Sequence, residues 1–254
     1  MKVTPIRTHK ITHKDQDILQ ILDRYIKSLK DKSIVAVTSK IISICEGRMV
    51  KIGGTTKDEL VKKEAELYLP RHMSKYDFSI SIKRGIFTAS AGIDESNGNG
   101  FYILWPKDPQ KSVNRIRIWL KSRFNLEKVG VIITDSKTTP LRWGVTGVAI
   151  SHSGFEALNS YIGKPDIFGR KLQAEKLNVA DSLAASAVGV MGEGNEQTPI
   201  AIIEDLSAGR QGVPFVNFQS RNPTEKELQG LKIDIEDDLY APLIKSVAWK
   251  KGSY

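Results

Sequence analysis

Apolar residues recur along this chain with two different periods, and the switches between them mark out its elements. Residues 15–30, DQDILQILDRYIKSLK, place Ile18, Ile21, Leu22, Tyr25, Ile26 and Leu29 at helical spacing, with acids early and lysines late, as the helix dipole favours. A strand follows over 33–39, SIVAVTS, and then a second strand-like apolar run, IISI. Thr56 and Glu59 fit a capping box that opens a helix running to about Leu69, where Pro70 stops it. DFSISI alternates with period two and sets Phe78, Ile80 and Ile82 on one face. After a turn at PKDPQ, SVNRIRIWLKSRF aligns Val113, Ile116, Leu120 and Phe124 along one helical stripe.

The second half continues in mixed order. VGVIITD (129–135) reads as a buried strand ending on an aspartate, VTGVAIS (145–151) as a strand, and TPIAIIED (198–205) as another. Between them, VADSLAASAVGVM (179–191) is a helix so rich in Ala, Ser and Gly that something must pack tightly against it. SAGRQGVPFVNFQSRNP reads as a long loop, and a final helix is expected over roughly 235–249. Strands and helices mix without a regular βαβ alternation, which predicts an α+β class with mixed sheets and packed helices. Without an internal repeat or low-complexity linker, 1–254 reads as one domain.

Composition narrows the function classes. The 254 residues are 40% hydrophobic and 26% charged, an ordinary globular balance. No apolar run approaches the roughly 18–20 residues that span a bilayer, and the basic start lacks the apolar core of a signal peptide, so a cytoplasmic address is expected. The single cysteine, Cys45, excludes an internal disulfide and a cysteine cage for zinc, and reads as a small buried hydrophobe. The net charge of +9 favours anionic partners, either nucleic acid or small anions such as nucleotides and polycarboxylates. The basic runs KSLKDK, KDELVKKE, NRIRIWLKSR and WKK are spread over expected helices, the pattern of a solvated surface, so small anions are favoured over nucleic acid.

Neither a GxxxxGK[ST] loop nor a GxGxxG turn is present. Acids and hydroxyls instead recur where the backbone turns sharply: Asp94 and Asn97 in AGIDESN, Asp135 and Ser136 in IITDS, Glu193 in MGEGNEQ, and Ser39 with Lys40 in VTSK. Hard divalent cations take carboxylate, hydroxyl and carbonyl oxygens, and glycines beside an acid let backbone N–H groups face a phosphate. Singly, each is more often a turn, a cap or a solvated loop acid; their coincidence at element ends points to a metal–nucleotide site.

In order and spacing, SKIISICEGR, SAGIDESN, GVIITDS…RWGVTGVAI and ADSLAASAVGVMGEGNEQTPIAII resemble the coenzyme F420-0:γ-glutamyl ligase family. The resemblance runs from about residue 9 to about 206, leaving 207–254 as loop and C-terminal helix. It implies an α+β fold unlike other nucleotide ligases, an intertwined homodimer, and a GTP-dependent enzyme. Such an enzyme adds L-glutamate to a γ-glutamyl acceptor, using one or two Mg²⁺ or Mn²⁺ ions and often K⁺. Carried over by position, Asp94, Asp135, Ser136 and Glu193 would be metal ligands, with serine standing for the family's threonine. Asn97, Ser39, Lys40, Lys10 and Ile11 (in HKIT), and Met191, Gly192, Gly194 and Asn195 would contact the nucleotide.

Arg142 and Lys40 are the expected catalytic cations, and Arg142 and His152 the candidate substrate contacts, although a satisfied structural histidine is the competing reading of His152. Two departures bear on the acceptor. Ile44 stands where the family has a lysine, and Lys137-Thr138-Thr139 replaces the family's Gly-Arg segment beside Asp135. The reading is therefore a γ-glutamyl ligase using GTP or ATP, acting on F420-0 or on another tail such as folate. A basic nucleotide- or nucleic-acid-binding protein and a metal-dependent phosphohydrolase are the competing classes.

Overall fold

The computed structural model describes residues 1–206 and 215–254. Its centre is a five-stranded sheet ordered β1 (Lys2–Ile6), β12 (Ile200–Glu204), β2 (Ser33–Thr38), β8 (Val129–Thr138) and β9 (Val145–Ser153). Only β2 and β8 run parallel; the other pairs are antiparallel. Both faces are covered. On one lie α1 (Ile18–Tyr25), α2 (Ser39–Cys45) and α4 (Pro109–Arg123), whose Ile21, Ile42 and Ile116 meet Val35, Val131 and Ile133. On the other lies α5 (Val179–Met191), where Leu183, Ala184 and Ala187 meet Ile34, Ile132 and Ala201. Side chains of one strand alternate between the two layers, so β2 and β8 are apolar on both faces.

The small-residue helix has the neighbour its sequence demands. A Cβ on Gly147 of β9 would stand 2.3 Å from the Ala184 carbonyl oxygen, so α5 and β9 approach at backbone distance. The stripe on α4 also appears as expected, with Val113, Ile116 and Leu120 fully buried and Phe124 packed at its end.

A second sheet, β13 (Lys250–Lys251), β4 (Leu67–Leu69), β5 (Ile80–Lys83) and β6 (Ile86–Ala89), packs with α3 (Lys57–Glu64). Two small pairs, β3 (Met49–Lys51) with β7 (Phe101–Ile103) and β10 (Leu158–Ser160) with β11 (Lys176–Asn178), complete the strands. Past 215 come α6 (Glu225–Gly230) and the single turn α7 (Ala241–Ile244).

Several boundaries differ from the sequence expectation. The first helix is only Ile18–Tyr25, because the Asp17 carboxylate caps it and Ile26 is already extended. IISI is helical, lying in α2 rather than in a second strand. The capping box of Thr56 and Glu59 is present, yet α3 ends at Glu64 because Leu67–Leu69 pairs with both β5 and β13. The aspartate does not end β8, which runs on to Thr138 as an arm paired with β9. Instead of a helix over 235–249 there is a 3₁₀ turn at Ile235–Asp237 and α7, since Pro242 tolerates only a helix start. The expected loop after 206 falls partly on 207–214, outside the described residues.

The alternation of DFSISI holds for Ile82, which is buried, but fails for the two apolar residues before it. Phe78 and Ile80 are exposed while Ser79, Ser81 and Lys83 are buried. Specific partners make this possible: Ser81 Oγ donates to the Thr88 carbonyl and accepts from Ala91 N–H, each at 2.7 Å, and Lys83 Nζ donates to Glu64 Oε2 at 2.6 Å.

Candidate active site

Parallel pairing brings two stretches of chain together. Thr38 of β2 lies opposite Thr134 of β8, so Ser39–Lys40, where the chain leaves β2, stand beside Asp135–Ser136, where β8 runs on past the end of β2 paired with β9 alone. Crevices at the carboxyl edge of parallel strands are where open sheets commonly hold ligands. Here Ser39 begins α2 and Lys40 occupies its first turn, one turn before the buried Ile44.

Asp94 arrives from the second sheet. Its backbone exchanges hydrogen bonds with Ile103 (N–H to O 2.9 Å and O from N–H 2.8 Å), closing the elbow of residues 94–103. Within it Asn97, Asn99 and Gly100 take left-handed backbone angles, which asparagine and glycine accept most readily. Asp94 Oδ1 accepts from Ser96 N–H (2.7 Å) and Ser96 Oγ (2.8 Å). Asp94 Oδ2 meets Lys40 Nζ at 2.6 Å, and the same ammonium donates to the Ser96 carbonyl at 3.1 Å.

The third component is the turn after α5. Gly192, at φ +80°, ends the helix, and Glu196 accepts from Gly194 N–H at 2.9 Å. Two contacts tie this turn to the others: Asn97 Nδ2 donates to the Gly194 carbonyl at 3.0 Å, and Ser136 Oγ donates to Glu193 Oε1 at 2.6 Å. Thus Lys40, Asp94, Asn97, Asp135, Ser136, Glu193 and Gly194 come together from four separate stretches of sequence.

The two aspartates differ in environment. Burial pushes the Asp135 carboxyl up to about 6, against donors from Trp105 and Ser136 and with the Asp94 charge adding to the rise. Asp94 is also penalised by burial, but the Lys40 charge and hydrogen bond, followed by the Ser96 donors, outweigh it and hold its carboxyl below the usual range. Both Asp135 oxygens accept N–H groups, Oδ1 from Ser136 (2.8 Å) and Oδ2 from the Trp105 indole.

Among the described residues no three carboxylate, imidazole or thiol groups lie close enough to form a ready metal cage. The donor set is nevertheless the hard-oxygen type that suits Mg²⁺ or Mn²⁺, and the Lys40 ammonium against Asp94 marks a place where positive charge is stabilised. The residues fit such an ion.

Other expected contacts are placed differently. Thr8 N–H donates to the Gln197 carbonyl at 2.8 Å, so the segment with the exposed Lys10 and half-buried Ile11 runs beside the Met191–Thr198 stretch. Met191 is buried, and Asn195 is exposed on that turn. Arg142 is exposed on the connection between β8 and β9. His152 is buried, with its ring against Phe155 (centroids 5.4 Å) and Nε2 without a hydrogen-bond partner among the described residues. Cys45 is half-buried, and burial, with Asp15, Asp17 and Glu46 nearby, pushes its thiol up to about 12, as befits an inert packing residue.

Two participants were missed by sequence reasoning. Ser96 adjoins Asp94, and its position two residues on was the available signal for an Asx-type turn. Trp105 closes the apolar run GFYILWP and carries no local sign of its contact with Asp135.

Comparison with known proteins fits this arrangement. Residues 5–205 match a family model described as F420-0:Gamma-glutamyl ligase. The chain is 30% identical over 235 residues to the coenzyme F420:L-glutamate ligase of Methanococcus maripaludis strain S2, covering 85% of this chain and 90% of that protein. It is similar to proteins of the same name from Methanopyrus kandleri, at 30% identity (81% and 87% covered), and Archaeoglobus fulgidus, at 30% (84% and 90%).

Proposed function

The chain belongs to the F420-0:gamma-glutamyl ligase family, and from that premise we propose that it is a nucleotide- and metal-dependent γ-glutamyl ligase adding L-glutamate to the terminal carboxylate of F420-0 or a similar acceptor. The observation that carries this reading is the convergence of Asp94, Asp135, Ser136 and Glu193 with Lys40 at the carboxyl edge of the parallel strand pair. A basic nucleic-acid-binding protein has no use for three acids gathered at element ends.

A carboxylate must be activated before an amine attacks it. In the proposed reaction the γ-phosphoryl group passes from GTP to the acceptor carboxylate, breaking its bond to the β-phosphate oxygen and forming an acyl phosphate. The glutamate amine then attacks the acyl carbon and phosphate leaves. Asp94, Asp135, Ser136 and Glu193 would hold one or two Mg²⁺ or Mn²⁺ ions. Such ions supply Lewis-acid neutralisation of phosphate oxygens. Lys40 adds a fixed positive charge beside the phosphates, where it helps orient the anionic chain. Asn97, together with the turn carrying Gly192 and Gly194, would present amide groups to the nucleotide. Arg142 would reach an anionic substrate from the arm on which it stands.

The family's homodimer also belongs to this reading. What supports it is the exposed apolar surface on the β8–β9 connection, with Leu141 104% and Trp143 89% exposed and Trp143 beside the exposed Tyr76.

The test is a single assay: protein, GTP or ATP, Mg²⁺ or Mn²⁺, glutamate, and either F420-0 or a folate, read by mass. Gain of one glutamyl unit on F420-0 supports the reading in full. Gain on folate alone moves the acceptor, as the altered Lys137-Thr138-Thr139 segment would allow. Nucleotide hydrolysis without any glutamyl product points to a phosphohydrolase and refutes it.

A further inference from the structure

Trp105 is fully buried, yet its indole nitrogen does not meet a backbone carbonyl; it donates to Asp135 Oδ2. A buried indole N–H needs a partner, and taking a carboxylate at the candidate site ties a core aromatic to the chemistry. Everything around the ring restrains it. Gly92 lies against the pyrrole edge so closely that a Cβ there would stand 2.2 Å from Trp105 Nε1. Lys83 Nζ sits 5.4 Å from the ring centroid, where a cation draws electron density and strengthens the N–H as a donor.

The backbone is pinned as well. The Trp105 carbonyl accepts from Arg48 Nε at 3.1 Å, and Leu104 N–H donates to the Arg48 carbonyl at 3.0 Å. Arg48 in turn spans both oxygens of Glu64 (2.8 and 2.9 Å), to which Lys83 also donates. An ion cluster of the half-buried Arg48 and Glu64 with the buried Lys83 therefore fixes the indole whose N–H reaches the site.

We infer that Trp105 is a positioning residue for Asp135: its N–H holds Oδ2, setting the carboxylate's orientation and directing an incoming cation to the remaining lone pairs. The inference rests on the metal-dependent reading of the site for its second half only. A partner that orients a metal-binding carboxylate from behind typically changes metal affinity 10- to 100-fold when removed. A phenylalanine would fill most of the same space, so packing alone does not call for the nitrogen.

The experiment uses the full chain labelled with ¹⁵N-tryptophan, whose four indole N–H signals are assigned with Trp105→Phe. In the metal-free protein the Trp105 proton is expected at the lowest field, and Asp135→Asn should move it upfield more than any other indole signal. A Trp105 signal unmoved by Asp135→Asn overturns the inference. In a second arm, 3-benzothienylalanine replaces Trp105, preserving ring shape and removing the N–H. Mn²⁺ affinity, measured by calorimetry with GTP present, should weaken about tenfold or more while the melting temperature holds. Wild-type affinity in that variant also overturns the inference. Wild-type protein binding no Mn²⁺ would overturn the metal reading and the directing role with it, while the indole signal still decides the Trp105–Asp135 bond.

Discussion

Lys40 Nζ lies 2.6 Å from Asp94 Oδ2, joining the first turn of α2 to the glycine-rich elbow across 53 intervening positions of chain. The pair places a fixed ammonium within a group of carboxylates that the proposed reaction would fill with phosphates and cations. It also explains why Asp94 remains ionised despite burial, whereas Asp135, whose oxygens meet only N–H donors, is pushed up to about 6. Ile44, one turn further along α2, is buried and apolar, which leaves Lys40 as the cation of this helix.

Replacing Lys40 with methionine keeps the length of the side chain and removes its charge. The Asp94 carboxyl is then expected to rise, because its largest opposing influence on burial is gone. Loss of a charge-assisted contact of about 1.5–3 kcal/mol corresponds to roughly a 10- to 150-fold fall in GTP affinity. Calorimetric titration with GTP and carboxyl-carbon NMR of Asp94 read the two effects. Unchanged GTP binding would remove Lys40 from the nucleotide site.

Asp94→Asn and Asp135→Asn each keep the shape of the side chain and remove its negative charge. Each is expected to lower kcat about 100-fold or more, with the melting temperature close to wild type, because electrostatic stabilisation at the reacting phosphoryl group is lost. Mn²⁺ affinity should fall in parallel. Normal metal-dependent turnover in both variants would show that the acids do another job.

Much of this architecture could be read from the chain. Residues 179–191 are helical over the expected bounds, and their small side chains foretold the close approach of Gly147. The acids at element ends could be marked as candidates because glycine and asparagine beside them signal turns without any knowledge of distant partners. What could not be read depends on partners far away in sequence. The alternation of DFSISI groups Phe78, Ile80 and Ile82 but does not tell that Ile82 alone is buried, nor that Glu64 and Thr88 let Lys83 and Ser81 be buried beside it by satisfying them. Likewise nothing near Trp105 specifies Asp135, thirty residues on, and the Leu67–Leu69 strand is made by pairing rather than by propensity.

His152 supplies a prediction about acid stability. Burial drives its imidazole down to about 4 from an ordinary 6.5, with the Glu227 charge opposing, and Nε2 has no hydrogen-bond partner among the described residues. A folded-state value below the unfolded one means that the unfolded chain takes up the proton first. Stability from this residue is therefore complete above about pH 6.5 and is lost as pH falls toward 4, by up to about 3 kcal/mol. Urea unfolding at pH 7.5 and 4.5 should show a smaller acid loss in His152→Phe than in wild type, the carboxylates being common to both. Equal losses would mean that the imidazole is protonated within the fold.

The β8–β9 arm carries the prediction about assembly. β8 continues beyond the sheet to Thr138 and β9 returns from Val145, so the turn projects with Leu141 and Trp143 almost wholly in solvent. Trp143 meets the exposed Tyr76 ring in a T-shaped arrangement, 6.0 Å between centroids. Phe78, and Ile80 and Phe87 of the second sheet, are exposed as well. Large exposed apolar side chains of this kind suit an interaction surface, and in the homodimer we propose they would be covered by the second copy. Light scattering should then give twice the 28.3 kDa chain mass for wild type. Leu141→Asp combined with Trp143→Asp should give a single chain mass, since burying either carboxylate in an apolar interface is strongly unfavourable. Arg142 stands between the two, so the monomeric variant should also lose ligase activity if the partner's arm completes the substrate site. A wild-type protein that remains monomeric at micromolar concentration would refute the assembly and return Leu141 and Trp143 to the solvent they face in the single chain.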